Sequence, residues 1–367
     1  MPEADTLDEA RRVMEICNAC RYCEGFCAVF PAMERERAFR DGDLAYLANL
    51  CHNCRGCYYA CQYAPPHPFD VNVPRVFAAL REESWADFAW PAPLARAFGR
   101  NATVVAGVTA LALILALALG FAIAGRNALT AVATGPGAYY RVVPWAVMAA
   151  VASATFVFSL ASLWIAGARF RCAAGGTSPW TPQAIARGLS DALTLKNLGG
   201  GGDGCNDRDE AFSNARRRLH HAMAYGFILC FASTCSAALE DYAWGIPAPY
   251  PIASAPVILG LLGGAGILVG AAGLAWIKLT QDSRPGVVQL RDSGFAILAL
   301  LWTVAASGVL LLAFRATAAM GVLLVIHLGF VLALFLLLPY SGFAHVAIRT
   351  LALIRNASEA DRPLQGD

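Results

Sequence analysis

Six long apolar stretches follow the first hundred residues of the chain, and short polar segments separate them. A transmembrane helix needs about 20 mostly apolar residues, and each stretch has this length without an amphipathic polar face. The predicted spans are 101–125, 142–168, 219–239, 255–277, 293–314 and 316–348. Helices buried in a large soluble core are the alternative, and six such stretches in one chain argue against it. The pattern predicts a mostly α-helical protein with a six-helix transmembrane bundle.

The composition agrees with this interpretation. Hydrophobic residues make up 57% of the chain and charged residues only 15%, whereas an average soluble domain has about 25% charged residues. The net charge of +2 is too small to favour a nucleic-acid partner. Acidic residues concentrate in the first 100 positions. We therefore expect a polar domain over 1–95, a membrane domain over 96–355 and a tail over 356–367.

The distribution of arginine and lysine predicts how the bundle lies in the membrane, because cytoplasmic loops carry an excess of both. The loop over 169–218 is rich in arginine, whereas the loops on the opposite side carry only Arg126, Arg141 and Arg315. Residues 1–16 contain acidic side chains where a signal peptide needs an apolar region. We therefore expect both termini and the 1–95 domain to lie in the cytoplasm.

Eight of the twelve cysteines form two runs of identical spacing, CxxCxxCxxxC. Bacterial ferredoxins share this spacing; three cysteines of a run bind one [4Fe–4S] cluster and the fourth binds the other cluster. The first expected cluster is held by Cys17, Cys20, Cys23 and Cys61, and the second by Cys51, Cys54, Cys57 and Cys27. The spacing predicts a ferredoxin-like head with two [4Fe–4S] clusters.

Zinc sites and disulfide bonds are the alternatives for these cysteines. Zinc is typically bound by two CxxC pairs in a tetrahedron, and tandem runs of this kind would leave thiolates without a metal. Disulfide bonds are rare in the reducing cytoplasm. Iron–sulfur clusters therefore explain the spacing best.

Four of the six histidines lie in or at the ends of predicted spans, where ionisable residues are costly and commonly functional. His327 and His345 are 18 residues apart, which on one continuous helix gives the same face and about 27 Å of separation; Pro339 between them should bend that helix. His220 and His221 begin the third span on the side of His345. A haem b with two histidine ligands is expected between the third and sixth spans. His345 and one of the adjacent pair would ligate it, with His221 preferred, and His327 is a candidate for a second haem.

The segment HLGFVLALFLLLPYSGFAH, from His327 to His345, resembles the last haem-binding helix of the nitrate reductase gamma-type cytochrome b. That subunit also has histidines 18 residues apart and a proline before the second. The resemblance implies haem ligation by this helix.

Nearly the whole chain resembles the tricarballylate/citrate utilisation protein B family. The resemblance rests on LANLCHNCRGCYYACQYAPPHPFDVNVPR, on DALTLKNLGGGGDGCN followed by ARRRLHHAMAYGFILCF, and on the last helix. It implies a bacterial inner-membrane protein with iron–sulfur clusters and haem. Such a protein reoxidises the FAD of a soluble partner, tricarballylate dehydrogenase, and reduces quinone. Family members often have a histidine at the outer end of the third span. This chain has AALEDYAWG there, with Asp241 near that place, so one firmly bound haem is expected.

The sequence is also compatible with other functions. The same electron path could serve a different donor, such as a citrate or 2-hydroxy acid dehydrogenase or a heterodisulfide reductase-type protein. A membrane redox sensor would need an output module, and the segment after Ile354 is only RNASEADRPLQGD. The run Gly199–Gly202 lacks the context of a phosphate-binding loop. We expect it either to close over the inner haem or to meet the flavoprotein, or to be a flexible loop without chemistry; Cys205 beside it has no evident partner.

Overall fold

The structure, a computed structural model, describes residues 4–98, 102–175, 180–200, 203–287 and 290–360. Within these ranges the chain forms α-helices joined by short 3-10 turns and loops, and no β-strand occurs. The expectation of a mostly α-helical protein is confirmed. The predicted start of the first span at Asn101 and residues 361–367 of the predicted tail lie outside the described residues, as do Gly201 and Gly202 of the glycine run.

Five helices build the cysteine-bearing head, which we define as residues 4–88. They are α1 (Ala4–Cys20), α2 (Val29–Met33), α3 (Asp41–Leu50), α4 (Gly56–Tyr59) and α5 (Val73–Phe88). Their apolar faces enclose one core that contains Met14, Phe30, Tyr46, Leu47 and Phe77, all fully buried. Both cysteine runs lie at the edge of this core, so the packing of the head positions them.

The rest of the described chain forms the membrane domain. Its helices are α6 (Ala92–Phe98), α7 (Ala102–Thr130), α8 (Trp145–Ala174), α9 (Pro182–Leu193), α10 (Ala215–Trp244), α11 (Ala255–Thr280), α12 (Leu290–Phe314), α13 (Met320–Leu337) and α14 (Ala344–Ala360). Six segments are long and apolar enough to cross a membrane: α7, α8, α10, α11, the 292–314 part of α12, and the segment over 320–360. The six predicted spans are therefore all present, and most extend several residues beyond their predicted ends.

The last predicted span is not one helix, so the expectation of a continuous helix over 316–348 is wrong. Helix α13 ends at Leu337, a 3-10 turn covers Leu338–Tyr340, and α14 begins at Ala344. Pro339 has no N–H to donate to the carbonyl of Phe335 four residues earlier. The Ser159 hydroxyl of α8 donates to that carbonyl instead, at 2.5 Å. This bond stabilises the break, so His327 and His345 lie on separate helices and do not share a face.

Glycines hold α10 and α11 in close contact. A Cβ atom on Gly226 of α10 would lie 2.7 Å from the carbonyl oxygen of Gly263, and one on Gly270 would lie 2.5 Å from the backbone nitrogen of Met223. Close backbone approach at small residues is a usual way for membrane helices to associate. These contacts set the rotation of α10 about its axis, and thereby decide which of its side chains face the rest of the bundle.

The head is attached to the membrane domain through Arg355 of α14. Its guanidinium donates to Glu36 at 2.8 Å and to Glu359 at 2.7 Å, and it also bonds the Ala174 carbonyl. It lies 3.8 Å from the centroid of the Tyr46 ring. The buried network joins α14, the end of α8 and the head, so the two parts are held in a defined arrangement.

Candidate functional site

The cysteines of the two runs come together in the crossed arrangement that their spacing predicts. One pocket is lined by Cys17, Cys20, Cys23 and Cys61. The thiols of Cys27, Cys51, Cys54 and Cys57 form the other group; burial first, and then the neighbouring cysteines, raises the pKa of Cys27 and of Cys57. We call these the first and the second cysteine group. None of the eight forms a disulfide bond.

The chemistry of both groups fits an iron–sulfur cluster. Burial, followed by the neighbouring thiols, raises the pKa of Cys17 and of Cys23 to about 12. Such thiols stay protonated at neutral pH unless a metal stabilises their thiolates. In the described chain no three His, Cys, Asp or Glu side chains lie close enough to hold a single metal ion. A cube binds four thiolates at separate corners, and each of the two groups offers four cysteines.

The two groups differ in exposure. Tyr22 beside the first group is 67% exposed, and Gln62 is exposed as well. In the second group, Cys51 and Cys54 are each only 8% exposed. The first group therefore lies at the surface of the head, and the second lies inside, toward the membrane domain.

Two loops of the membrane domain cover the second cysteine run. The buried Arg55 guanidinium donates to the carbonyls of Asp207 at 3.2 Å and Asp282 at 2.9 Å. The backbone N–H of Asn206 donates to the Cys54 carbonyl at 2.9 Å. Arg216 at the start of α10 donates to the Asn53 carbonyl at 2.7 Å. These bonds join the head to the loops before α10 and after α11.

The described part of the glycine-rich loop therefore lies against the second cysteine group, with Gly200 beside Cys54. Gly200 has a φ of +52° and lies so close to Gly204 that a Cβ atom would be 1.9 Å from the Gly204 oxygen. Cys205 is fully buried beside Cys54, and its thiol donates to the Leu198 carbonyl at 3.1 Å. Glycine is required at position 200 because the two backbone segments approach so closely. Cys205 contributes a buried, hydrogen-bonded thiol to the same loop.

The structure favours His220 over His221 as the partner of His345. The rings of His220 and His345 have centroids 6.1 Å apart and are nearly perpendicular, at 75°. His221 lies about 100° further around α10, and its ring packs against Tyr225 at 5.6 Å. The rotation of α10 thus places His220, and not the His221 that the sequence favours, beside His345; which of the two binds a haem stays a prediction.

The pair His220 and His345 fits the axial ligands of a haem. If a haem b binds between α10 and α14, the adjacent imidazoles of His220 and His345 would hold its iron, and the haem would supply one-electron transfer there. The Nδ1 atom of His345 is hydrogen-bonded to the Gly342 carbonyl, which leaves Nε2 for a metal. The Nδ1 atom of His220 and the Nε2 atom of His221 are both buried without a hydrogen-bond partner, and bound groups commonly explain such unsatisfied polar atoms.

Aromatic rings continue along the same side of α10 as His220. Phe227 packs against Phe343 at 5.3 Å, and Phe231 packs against Phe156 at 5.2 Å. Positions 220, 227 and 231 share one helix face, because seven and eleven residues are close to whole numbers of turns. A flat apolar macrocycle would find suitable neighbours here.

A compact set of contacts joins the second cysteine group to the histidine pair. The Trp85 ring lies 6.2 Å from the His345 ring, and its indole N–H donates to the Asn49 side chain at 2.7 Å. Arg349, one turn after His345, donates to the carbonyls of Asn49 at 3.1 Å and Cys51 at 3.0 Å. Sequence reasoning missed Trp85 and Arg349, since neither belongs to a motif and their positions depend on how α5 and α14 meet.

His327 lies elsewhere, in the contact between α13 and α12. Its Nδ1 atom is 3.0 Å from the Ser307 hydroxyl, and its ring packs over Gly308. The structure therefore does not bring His327 together with His220 or His345, and gives it a hydrogen bond between two helices.

Comparisons with known proteins agree with the division of the chain into a cysteine-bearing head and a membrane domain. Residues 10–87 match the family model described as the citrate utilization protein B Fer4-like domain, and residues 97–366 match the one described as citrate utilization protein B. The chain is 44% identical to the citrate utilization protein B of Escherichia coli, over 99% of this chain and 94% of that protein. No solved structure matches it.

Proposed function

The chain belongs to the citrate utilization protein B family, and from this premise we propose that it transfers electrons from a soluble donor to an acceptor in the membrane. The donor is a soluble FAD-containing dehydrogenase of the tricarballylate dehydrogenase type, and the acceptor is quinone. The path runs through the first cysteine group, the second cysteine group and the histidine pair. When bound, two [4Fe–4S] clusters and one haem b supply one-electron transfer along it.

The single observation that carries this proposal is the order of the three sites. The first cysteine group is exposed and the second is buried behind it. The Trp85 ring lies 6.2 Å from the His345 ring and donates to Asn49, two residues before Cys51. Each site therefore lies next to the one before it, from the head surface to the membrane segment. A chain of neighbouring redox sites is what electron transfer requires, whereas a sensor would need an output element.

The exposed edge of the first cysteine group supports the choice of donor. Tyr22 is 67% exposed and Phe69 is 48% exposed, so a partner could cover apolar surface at this edge. Dinucleotide-binding motifs follow a β-strand, and the described part of this chain contains no strand. The flavin and the substrate specificity therefore belong to the donor.

The membrane orientation follows from the same proposal. The head, the 169–218 loop and both termini lie in the bacterial cytoplasm, where a soluble dehydrogenase is available, and six segments cross the inner membrane. The arginine and lysine distribution supports this orientation, although Arg100 and the side chain of Arg291 lie outside the described residues.

Two measurements on purified protein test the proposal. We expect about eight non-haem irons per chain, as two cubes require, and b-type haem bands in a reduced-minus-oxidised spectrum. We also expect a reduced flavoprotein dehydrogenase to reduce these centres, and a quinone analogue to reoxidise them. Protein with full iron content but no b-type haem bands would contradict the path at the histidine pair.

A further inference from the structure

Three arginine side chains lie at the second cysteine run. Arg55 belongs to the run itself and is only 2% exposed. Arg81 of α5 and Arg349 of α14 donate to the same carbonyl oxygen, that of Cys51, at 2.9 and 3.0 Å. Arg81 is 8% exposed and Arg349 is half-buried. Positive charge is therefore buried around the second cysteine group.

The carboxylates closest to Arg55 are paired with other arginines. Asp207 forms a salt bridge with Arg216, and Asp282 forms one with Arg284 at 2.8 Å. Arg55 donates to the backbone carbonyls of Asp207 and Asp282, and not to their carboxylates. Its charge is thus left without a salt bridge.

Arg81 and Arg349 likewise form no salt bridge with any residue that the structure describes, and their hydrogen bonds go to backbone carbonyls. The Glu82 carboxylate attracts Arg349 and offsets part of its charge. The Nε atoms of Arg55 and Arg81 are buried without a hydrogen-bond partner. Buried charges and donors of this kind are costly, and a negatively charged bound group would compensate the cost.

The first cysteine group has a different electrostatic environment. Arg21 and Glu24, which lie within the first run, are both exposed. The Arg21 guanidinium donates to the Asn18 carbonyl at 3.1 Å. Opposite charges in water are screened and partly cancel, so this group lacks the buried positive charge of the second.

The reduction potential of an iron–sulfur cluster depends on nearby charge and on solvent exposure, because reduction adds one negative charge. Burial alone disfavours the added charge, and would make the second cluster harder to reduce than the exposed first. Nearby cations have the opposite effect. One cation at about 10 Å, with an effective dielectric constant of about 20, favours the reduced form at least about tenfold.

We propose that Arg55, Arg81 and Arg349 raise the reduction potential of the second cluster above that of the first; this rests on the function proposed above. One electron leaves the first cluster, which is oxidised, and reduces the second, without transfer of a proton. The three guanidinium groups stabilise the added charge. Transfer from the head surface toward the membrane is thereby favourable, and return to the donor is unfavourable.

Redox titration of the full-length protein, followed by electron paramagnetic resonance of the reduced clusters, tests the proposal. Cys54→Ser removes the second cluster and so identifies its signal. Arg81→Gln removes one charge but keeps an N–H donor, whereas Arg81→Lys keeps the charge. Arg75→Gln is the matched control, because Arg75 lies on the same helix and is exposed. Non-haem iron analysis shows whether each variant contains both clusters.

In the wild-type protein we expect the second cluster to be reduced at a higher potential than the first. At the wild-type midpoint, Arg81→Gln should lower the ratio of reduced to oxidised second cluster about tenfold, which corresponds to about 59 mV for one electron. The potential of the first cluster should not change. Arg81→Lys and Arg75→Gln should keep both potentials close to those of the wild type.

A wild-type second cluster that is reduced only at a lower potential than the first would overturn the proposal, and this measurement needs no variant. Arg81→Gln with full iron content and an unchanged second potential would also overturn it.

The outcomes separate the role of the arginines from the proposed function. The expected order and shift, in protein that a flavoprotein cannot reduce or a quinone analogue cannot reoxidise, would support the role of the arginines and overturn the function. The reverse order of potentials, in protein that both partners do reduce and reoxidise, would overturn the role of the arginines and leave the function standing.

Discussion

The guanidinium of Arg349 donates a hydrogen bond of 3.0 Å to the carbonyl oxygen of Cys51, across the boundary between the membrane segment and the head. Arg81 donates to the same oxygen at 2.9 Å. The C-terminal carbonyls of a helix have no partner within it, and these two arginines satisfy the end of α3. The cysteine that begins the second run is thereby held in place from both domains.

Replacing Arg349 by Met should loosen this junction. The Asn49 carbonyl would lose the donor that Arg349 supplies, at a cost of about 1–3 kcal/mol for a group left buried and unsatisfied, whereas the Cys51 carbonyl would keep its bond from Arg81. We expect lower thermal stability and partial loss of iron from the second group, with the first retained. Thermal unfolding and iron analysis measure both effects. Arg349→Lys, which keeps a donor, should lie between Met and wild type; equal losses in the two variants would show that the hydrogen bonds do not matter.

The two adjacent histidines of α10 should behave differently. His220→Ala should abolish bound haem, because this ring faces His345, whereas His221→Ala should retain it, because that ring packs on Tyr225. Pyridine haemochrome analysis against protein concentration gives the result. If His221→Ala lost haem and His220→Ala kept it, His221 would be the haem ligand, as the sequence favours.

His327→Ala should leave the haem content unchanged at about one per chain. The expected effect is the loss of one hydrogen bond, to Ser307, which typically contributes about 0.5–1.5 kcal/mol. Thermal unfolding should detect it, and Ser307→Ala should give a similar decrease. A wild-type ratio near two haems, halved in the His327 variant, would contradict this prediction.

Cys54→Ser and Cys205→Ser form a matched pair, since both sulfurs lie in the same small buried cluster. Cys54→Ser should reduce the non-haem iron content from about eight to about four per chain and destabilise the head, because cluster assembly and folding are coupled. Cys205→Ser should keep all the iron, because its thiol serves only the Leu198 carbonyl. Iron loss in both variants would assign Cys205 a role in the second cluster.

Much of this protein could be predicted from its sequence. The CxxCxxCxxxC spacing predicts the crossed grouping of Cys27 and Cys61, because in the ferredoxins that share it the fourth cysteine of each run binds the other cluster. The six apolar segments likewise predict six spanning helices, since each has the length and hydropathy that a span needs. Hydropathy is a local property, whereas the crossed grouping joins distant cysteines and could be predicted only because the spacing is a known motif.

Other features depend on how distant elements meet. The contact of α10 with α11 at Gly226 and Gly263 sets the rotation that turns His220, and not His221, toward His345. The hydroxyl of Ser159, from another helix, stabilises the break at Pro339 that separates His327 from His345. Hydropathy and spacing contain no information about the rotation of one helix against another. Only packing in three dimensions determines which side chain faces which, and therefore which histidine can ligate a haem.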